Sequence, residues 1–600
     1  MVVFALVSCK QDKGERKVGE SGASSENDER QLISAEGRAY IWNVEHHVNL
    51  LKDYGLSRLE KAITSQDSAA LEGILAPHFE GSVPESGSGT KFDSEMFSVR
   101  SELLGAGPSK LDRGKFVHWM LGRLAEVVGG EEGEPSVRTH VITLSPAERD
   151  QPDGRWEGTG KIEVASRASS GRMAELVLFF EFGVGKLTKE RLAKPGWLTS
   201  LNVTRVRSAN ARQPLMREVA AERGIHTEFF WDNWKMPRER RLTNTGGVYL
   251  SDFNNDGLHD LFITDIRGSL FYVGEPGGRF REATRDLGIR GQLGGGFAAF
   301  VDLDGDGWED LIHGVAHHPD GYRIYHNLNG RFFQDVTERS NLPEFLLGMA
   351  PEEFGKSSRE QVLEKIQVKP TGISLADYDL DGQVDLYVTR GAGGSFKSGS
   401  WIDGKAGRLA NNQLLRNVGG WQFEDVTNGS PLDGARRSSS NAVWLHANED
   451  LRPDLYVIDE FGDGILLVNG PDGTFEGVEL NDRPTDFGSM GMTAGDVNND
   501  GHTDIYIGEM YSKAGERVMA NIPPGEYDEE VTRKLQRLVD GSQLYLGGGD
   551  QKFTPAGSAM GVNAVGWAWG PCLADLNNDG WLDLYATAGF ISQDRGKPDG

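Results

Sequence analysis

The residues best equipped for chemistry are acidic, and they recur. Five segments share the pattern D-x-[DN]-x-D-G-x-x-D. They are Asp252-Phe-Asn254-Asn-Asp256-Gly257-Leu258-His-Asp260, Asp302-Leu-Asp304-Gly-Asp306-Gly307-Trp308-Glu-Asp310, Asp377-Tyr-Asp379-Leu-Asp381-Gly382-Gln383-Val-Asp385, Asp496-Val-Asn498-Asn-Asp500-Gly501-His502-Thr-Asp504 and Asp575-Leu-Asn577-Asn-Asp579-Gly580-Trp581-Leu-Asp583. Hard oxygen donors at positions 1, 3 and 5 converge when a backbone curls around a cation. Glycine at position 6 permits the sharp turn that aims the carbonyl of position 7 inward, and the carboxylate at position 9 closes the shell. The expected ligands are thus the side chains at positions 1, 3, 5 and 9 and the main-chain carbonyls of Leu258, Trp308, Gln383, His502 and Trp581. Calcium suits so short a loop better than magnesium, which demands a stricter octahedron and keeps its water.

Aspartate, asparagine and glycine are also ordinary turn residues. Five copies at identical internal spacing, each followed by an apolar run such as Leu261-Phe-Ile263 or Leu386-Tyr-Val388, favour ion binding over turns alone. Without a cation the carboxylates of one loop repel each other, so the ions, about five, are expected to be structural. A sixth copy, His446-Ala-Asn448-Glu-Asp450-Leu451-Arg-Pro-Asp454, has His in place of the first carboxylate and Leu in place of the turn glycine. It is expected to bind calcium weakly or not at all.

The elements that position these loops repeat with them. Successive first positions lie 50, 75, 69, 50 and 79 residues apart. Short strands, Phe280-Arg-Glu-Ala-Thr284, Phe333-Gln-Asp-Val-Thr337 and Phe423-Glu-Asp-Val-Thr427, with weaker copies at Phe475 and Phe553, follow partner strands across Gly-rich turns, and a looser copy stands at Met216–Ala220. Units of this length, each with four short strands, predict a propeller with one sheet per blade. The longer gaps hold insertions of helical composition at Pro343–Lys369 and Met510–Asp540. Seven blades would need a further hairpin beyond the last acidic loop, or strands drawn from before Gly246.

Composition narrows the classes. Lys and Arg total 63 against 90 Asp and Glu, a net charge of −27 that repels nucleic-acid phosphate and anionic lipid headgroups. The 79 glycines come without a collagen period and indicate many tight turns. Two cysteines, Cys9 and Cys572, make neither a disulfide framework nor a Cys-rich zinc site.

Before the repeats, residues 35–208 read as a smaller α+β domain. Leu56, Leu59 and Ile63, then Leu71, Ile74 and Leu75, fall at helical spacing, and a further amphipathic helix is expected around Phe116, Trp119, Met120 and Leu124. Strand patterns follow at Val137–Leu144, Gly158–Ser166, Met173–Phe182 and Leu198–Val206, which suggests an antiparallel sheet wrapped on helices. His46, His47, His78, His118 and His140 are scattered and read as surface or internally satisfied histidines.

Three resemblances add to these readings. The acidic loops with their Phe-x-Asp-Val-Thr strands, over residues 214–600, resemble the FG-GAP or VCBS repeats of the integrin-α-type propeller. More narrowly, Gly566-Trp-Ala-Trp-Gly570 before Asp575 and the stretch Met510–Arg517 resemble the bacterial cartilage-acidic-protein-like family. This likeness implies a mainly β, calcium-binding propeller of about seven blades. The order of elements in residues 35–208 is similar to the cone-shaped, pocketed nuclear-transport-factor-2-like fold. Leu6-Val-Ser-Cys9, followed by a polar tether over residues 10–34, resembles the end of a bacterial lipoprotein signal, which implies lipid attachment at Cys9 and export to the cell envelope.

Three functions follow as expectations. The first is a non-enzymatic, calcium-stabilised surface for adhesion, recognition or assembly, whose partner is a protein or glycan at the cell surface, with no nucleic acid and no membrane contact beyond the anchor. The second is a carbohydrate lyase or hydrolase on the propeller, with Trp421, Trp444, Trp567 and Trp569 as sugar platforms, although in a repeat such residues are more often blade packing. The third is small-ligand sensing by the first domain.

Overall fold

The computed structural model describes residues 34–85, 89–105, 109–128, 135–148, 153–167, 172–212, 216–232, 235–237, 246–291, 295–315, 322–347, 370–391, 411–427, 431–436, 438–480, 487–511, 513–522 and 525–589. The expectations for Cys9 and the tether up to residue 33, and most of the insertion after Pro343, lie outside the described residues. The chain divides into two units. One comprises Met1–Glu218 with Lys513–Asp528, the other Val219–Ser512 with Glu529–Gly600.

In the first unit the hydroxyl of Ser34 caps the helix Ala35–Leu50 by accepting from the Gly37 N–H at 2.9 Å. A π-helical turn, Leu51–Leu56, carries it into Ser57–Thr64, and Asp67 caps the short helix Ser68–Ile74. Leu59 and Ile63, Leu71 and Ile74, and Phe116, Met120 and Leu124 of the helix Arg113–Val128 are buried, as their spacing predicts. The sheet runs Gly89–Asp93, Phe97–Leu103, Leu198–Ala211, Met173–Val184, Trp156–Arg167, Ser136–Pro146, all antiparallel, and Leu75–Val83 joins Leu198–Ala211 in parallel. Between helices and sheet, an internal cavity lined by Leu59, Leu71, Leu75, Phe116 and Met120 measures about 10 Å³, near the least that holds one water, and an open cleft of about 680 Å³ is lined by Val83, Leu111, Lys115, His118 and Trp119. The helix Lys513–Ala520, distant in sequence, completes this unit by packing on Ser136–Pro146, with Val518 against Ile41.

Among the described residues the second unit contains five four-stranded antiparallel sheets. Their strands are Gly246–Ser251, Asp260–Asp265, Leu270–Glu275 and Arg279–Glu282 in blade 1; Gly295–Val301, Asp310–Val315, Tyr322–Asn327 and Phe333–Asp335 in blade 2; Pro370–Ala376, Asp385–Arg390, Gln413–Asn417 and Phe423–Asp425 in blade 3. Blade 4 has Ser439–Leu445, Asp454–Asp459, Ile465–Asn469 and Phe475–Val478, and blade 5 has Ser489–Gly495, Asp504–Glu509, Gln543–Gly547 and Phe553–Pro555. A two-stranded sheet, Ala568–Ala574 with Asp583–Ala588, follows. The first strands of successive sheets pack side by side, which is propeller packing. The insertion of helical composition expected at Met510–Asp540 holds the helix Glu529–Asp540.

Two expectations are corrected. Five complete blades and one hairpin are seen among the described residues, in place of about seven blades. In each of these five sheets and in the hairpin, one of the six acidic loops joins the first strand to the second. The segment Met216–Ala220, expected as a loose strand, is irregular and leads into a turn closed by Arg223 N to Val219 O at 2.9 Å.

Candidate metal centre

Every acidic loop joins the first strand of a sheet to its second, and the five regular copies share one backbone course. The position-1 carboxylates of Asp252, Asp302, Asp377, Asp496 and Asp575 accept the N–H groups of positions 5 and 6 at 2.8–3.1 Å. Position 5 in turn accepts the N–H of position 7: Leu258 donates to Asp256, Trp308 to Asp306, Gln383 to Asp381, His502 to Asp500 and Trp581 to Asp579. The position-6 glycines have φ between 82° and 89°, where a side chain is strained. Position 4 is also left-handed, at Asn255, Gly305, Leu380, Asn499 and Asn578. Only asparagine and glycine take that conformation readily, so Leu380 is held there by the loop.

Position 9 has a role of its own. Asp260, Asp310, Asp385 and Asp504 are fully buried, and each accepts two main-chain N–H groups. One oxygen takes the N–H of position 2 (Phe253, Leu303, Tyr378, Val497) at 2.8–3.2 Å. The other takes an N–H of the third strand (Gly274, Asn327, Asn417, Gly547) at 2.7–2.9 Å. Burial pushes the carboxyls of Asp260 up to about 6 and of Asp310 and Asp385 up to about 7, against the hydrogen bonds that favour the charged form. Asp583 keeps the first bond, from Leu576 at 3.0 Å. The degenerate copy keeps the whole arrangement: Asp454 accepts from Ala447 at 3.0 Å and Asn469 at 2.8 Å. The position-9 carboxylate therefore fastens the hairpin whether or not the rest of the loop resembles an ion site. The repulsion foreseen among the carboxylates is offset by these N–H donors.

The donors fit a hard divalent cation best in the second and third loops. Carboxylate oxygens of Asp302, Asp304 and Asp310 lie within 4.8 Å of one another, as do those of Asp377, Asp379 and Asp385. Asp304 Oδ1 is buried without a hydrogen-bond partner. A buried anionic oxygen left unmatched is costly, and a cation is one group that would satisfy it. In the loops starting at Asp252, Asp496 and Asp575, position 3 is asparagine, and its amide donates to the position-5 carboxylate at 2.8–3.0 Å. In the degenerate loop the guanidinium of Arg452 pairs with Asp450 and donates to Asn469 O at 2.9 Å, while His446 points its ring at Arg452 O at 3.3 Å. A basic side chain of the chain itself thus stands beside that loop's acid.

Residues 252–313, 447–507 and 538–586 match the family described as FG-GAP-like repeat. These stretches are FG-GAP-like repeats. The matched stretches include the loops at Asp252, Asp302, Asp496 and Asp575 and most of the degenerate one, while blade 3 with Asp377–Asp385 lies between them. No curated protein matches the chain. Among solved structures, a chain from an Agrocybe aegerita lectin, described as specifically recognising non-reducing terminal N-acetylglucosamine, aligns at 13% identity and TM-score 0.33. It covers 86% of this chain and 100% of its own.

Residues that the motif did not single out hold the FG-GAP-like blades to each other. Asn327, Asn417 and Asn469 end the third strands of blades 2, 3 and 4 and are buried. Each amide donates to a carbonyl of the preceding blade's loop, Phe253, Leu303 and Tyr378, at 2.8–2.9 Å, and to its own loop at 3.0–3.3 Å. The sequence signal was there, an Asn ending each partner strand, but its partner lies at least 74 residues away. Blades 1 and 5 have Gly274 and Gly547 at this place, where a Cβ would come within 2.4 Å of His259 O or 2.3 Å of Thr503 O. The threonines of the Phe-x-x-x-Thr strands also act, since the hydroxyls of Thr284, Thr337 and Thr427 accept the N–H of Phe271, Ile324 and Leu414 at 2.7–3.1 Å. Trp421 is buried in the core of blades 2 and 3, and Trp444 packs against Tyr387 and Phe475. Trp569 is exposed and donates to Gly589 O at 2.8 Å. In the first unit His47 stacks on Trp156 and His140 meets Glu163 at 2.9 Å.

Proposed function

We propose that the second unit is a calcium-stabilised recognition scaffold without catalytic activity of its own. In this reading it is exported, held at the cell envelope through Cys9, and presents its blades to a protein or glycan at the cell surface. The observation that carries the calcium part is the second loop, where carboxylate oxygens of Asp302, Asp304 and Asp310 lie within 4.8 Å of one another and Asp304 Oδ1 is buried without a hydrogen-bond partner. Asp302, Asp304, Asp306 and Asp310, their counterparts in the other four loops, and the position-7 carbonyls would hold the ions. Bound calcium would supply a divalent charge that ties the first two strands of a blade together. Asp310 and its equivalents fix the hairpin end, and the position-1 carboxylates fix the turn.

Ions that bind only the folded state stabilise it, by about 2.7 kcal/mol for one site at a hundredfold excess over its Kd. Chelation of the full chain is therefore expected to lower its melting temperature by several degrees and calcium to restore it; an unchanged melting curve refutes the reading. For the recognition part, the full chain is screened on arrayed glycans and cell-surface proteins with and without chelator. Calcium-dependent retention supports a recognition scaffold, and cleavage of an arrayed glycan points instead to an enzyme. In a bacterial host, Cys9→Ser is expected to move the protein from the membrane fraction to the soluble one.

A further inference from the structure

We infer that Arg416 is a built-in counter-charge for the third acidic loop, one that sets how tightly this loop holds its ion. The inference rests on the calcium reading above.

The loops fall into two kinds by position 3. Those with Asn254, Asn498 and Asn577 carry three carboxylates at the ligand positions, and their asparagine amide donates to Oδ2 of Asp256, Asp500 and Asp579. Those with Asp304 and Asp379 carry four. In both of the latter, and in neither blade 1 nor blade 5, the residue just before the end of the third strand is basic. His326 Nε2 lies 3.3 Å from both Asp304 Oδ2 and Asp306 Oδ2. Arg416 Nε lies 2.9 Å from Asp379 Oδ2, and its Nη2 donates to Asp381 Oδ2 at 3.2 Å. The corresponding residues of blades 1 and 5, placed by the N–H that the next residue gives to position 9, are Val273 and Leu546.

The N–H donor to the position-5 Oδ2 is therefore present in both kinds of loop. It comes from the loop's own asparagine where position 3 is neutral, and from the third strand where position 3 is charged. In the third loop the guanidinium also offsets the extra carboxylate, so that four carboxylates and one arginine carry the same formal charge, −3, as three carboxylates alone. Calcium affinity in oxygen-ligand loops follows ligand charge and rigidity. Arg416 is partly exposed, with 39% of its side chain accessible, so its effect is moderated by solvent and salt.

The test uses the full chain and calorimetric calcium titration, with Asp377→Asn marking the step that belongs to the third loop. Arg416→Met is expected to tighten that step by roughly three- to tenfold at low salt, and less at high salt. Asp379→Asn is expected to weaken it, the double variant to return close to wild type, and Arg416→Lys to stay near wild type. A second readout needs no calcium: in chelator, Arg416→Met is expected to melt lower than wild type, and the double variant to recover. If Asp377→Asn removes one equivalent while Arg416→Met leaves the remaining affinities and the chelated melting point unchanged, the inference is overturned and the calcium reading stands. If Asp377→Asn removes no equivalent, the third loop is not a calcium site and both fall there.

Discussion

Arg517 and Glu45 stand 472 positions apart and form a buried, two-pronged ion pair, Nε to Oε1 at 2.6 Å and Nη2 to Oε2 at 2.8 Å. A third donor of the same guanidinium reaches Val141 O at 3.2 Å. Both residues belong to the first unit, which therefore is not finished until residues 513–528, lying between two strands of blade 5, have been made. Removing one partner of such a pair strands a charge. Arg517→Met is expected to destabilise the first unit by about 3–5 kcal/mol in urea titrations of the full chain, while Glu45→Leu/Arg517→Met recovers most of the loss. A single variant within about 1 kcal/mol of wild type would refute the assignment.

Asn417 is expected to matter more than its size suggests. Its amide serves Leu303 O in the neighbouring blade and Val384 O in its own, and both bonds vanish in Asn417→Ala. The expected cost is about 2 kcal/mol in denaturant midpoint analysis, and Asn417→Asp, which cannot donate, should cost at least as much.

Arg452 should act independently of calcium. Because its guanidinium pairs with Asp450 in the loop that lacks a position-1 carboxylate, Arg452→Gln is expected to lower stability by roughly 1 kcal/mol to a similar extent with chelator and with excess calcium. A loss that calcium reverses would show that the loop binds the ion after all.

Glu460 predicts a pH dependence of definite sign. Burial, and then the neighbouring Asp459, push its carboxyl from 4.5 up to about 7. A group raised in the folded state binds its proton more tightly there, so its contribution is whole below the unfolded value and is lost as pH climbs through 7. Wild type is expected to lose stability relative to Glu460→Gln between pH 5 and pH 8, by roughly 1–3 kcal/mol at the upper end, as thermal melts across that range would show.

The acidic loops could be read from sequence because everything that defines them is local. Nine consecutive residues set the turn, and Gly257 or Gly501 announces it. The helices at Ser57–Thr64 and Arg113–Val128 were legible for the same reason, since Leu59 and Ile63, or Phe116, Met120 and Leu124, mark one face by spacing alone. What escaped depends on partners that spacing does not reveal. The amide of Asn327 meets Phe253 O only once two blades are side by side, and Arg416 meets Asp379 only once the third strand is paired. The position-9 aspartates were read as ion ligands and are also fasteners for two strands. That second duty became visible in Asp454, which keeps it in the degenerate loop.

That persistence at Asp454 bears on how far such a repeat can drift. A bend tied to two strands by one aspartate keeps its hairpin closed even where His446 and Leu451 stand in the other key positions, so a single module can diverge without unravelling its sheet.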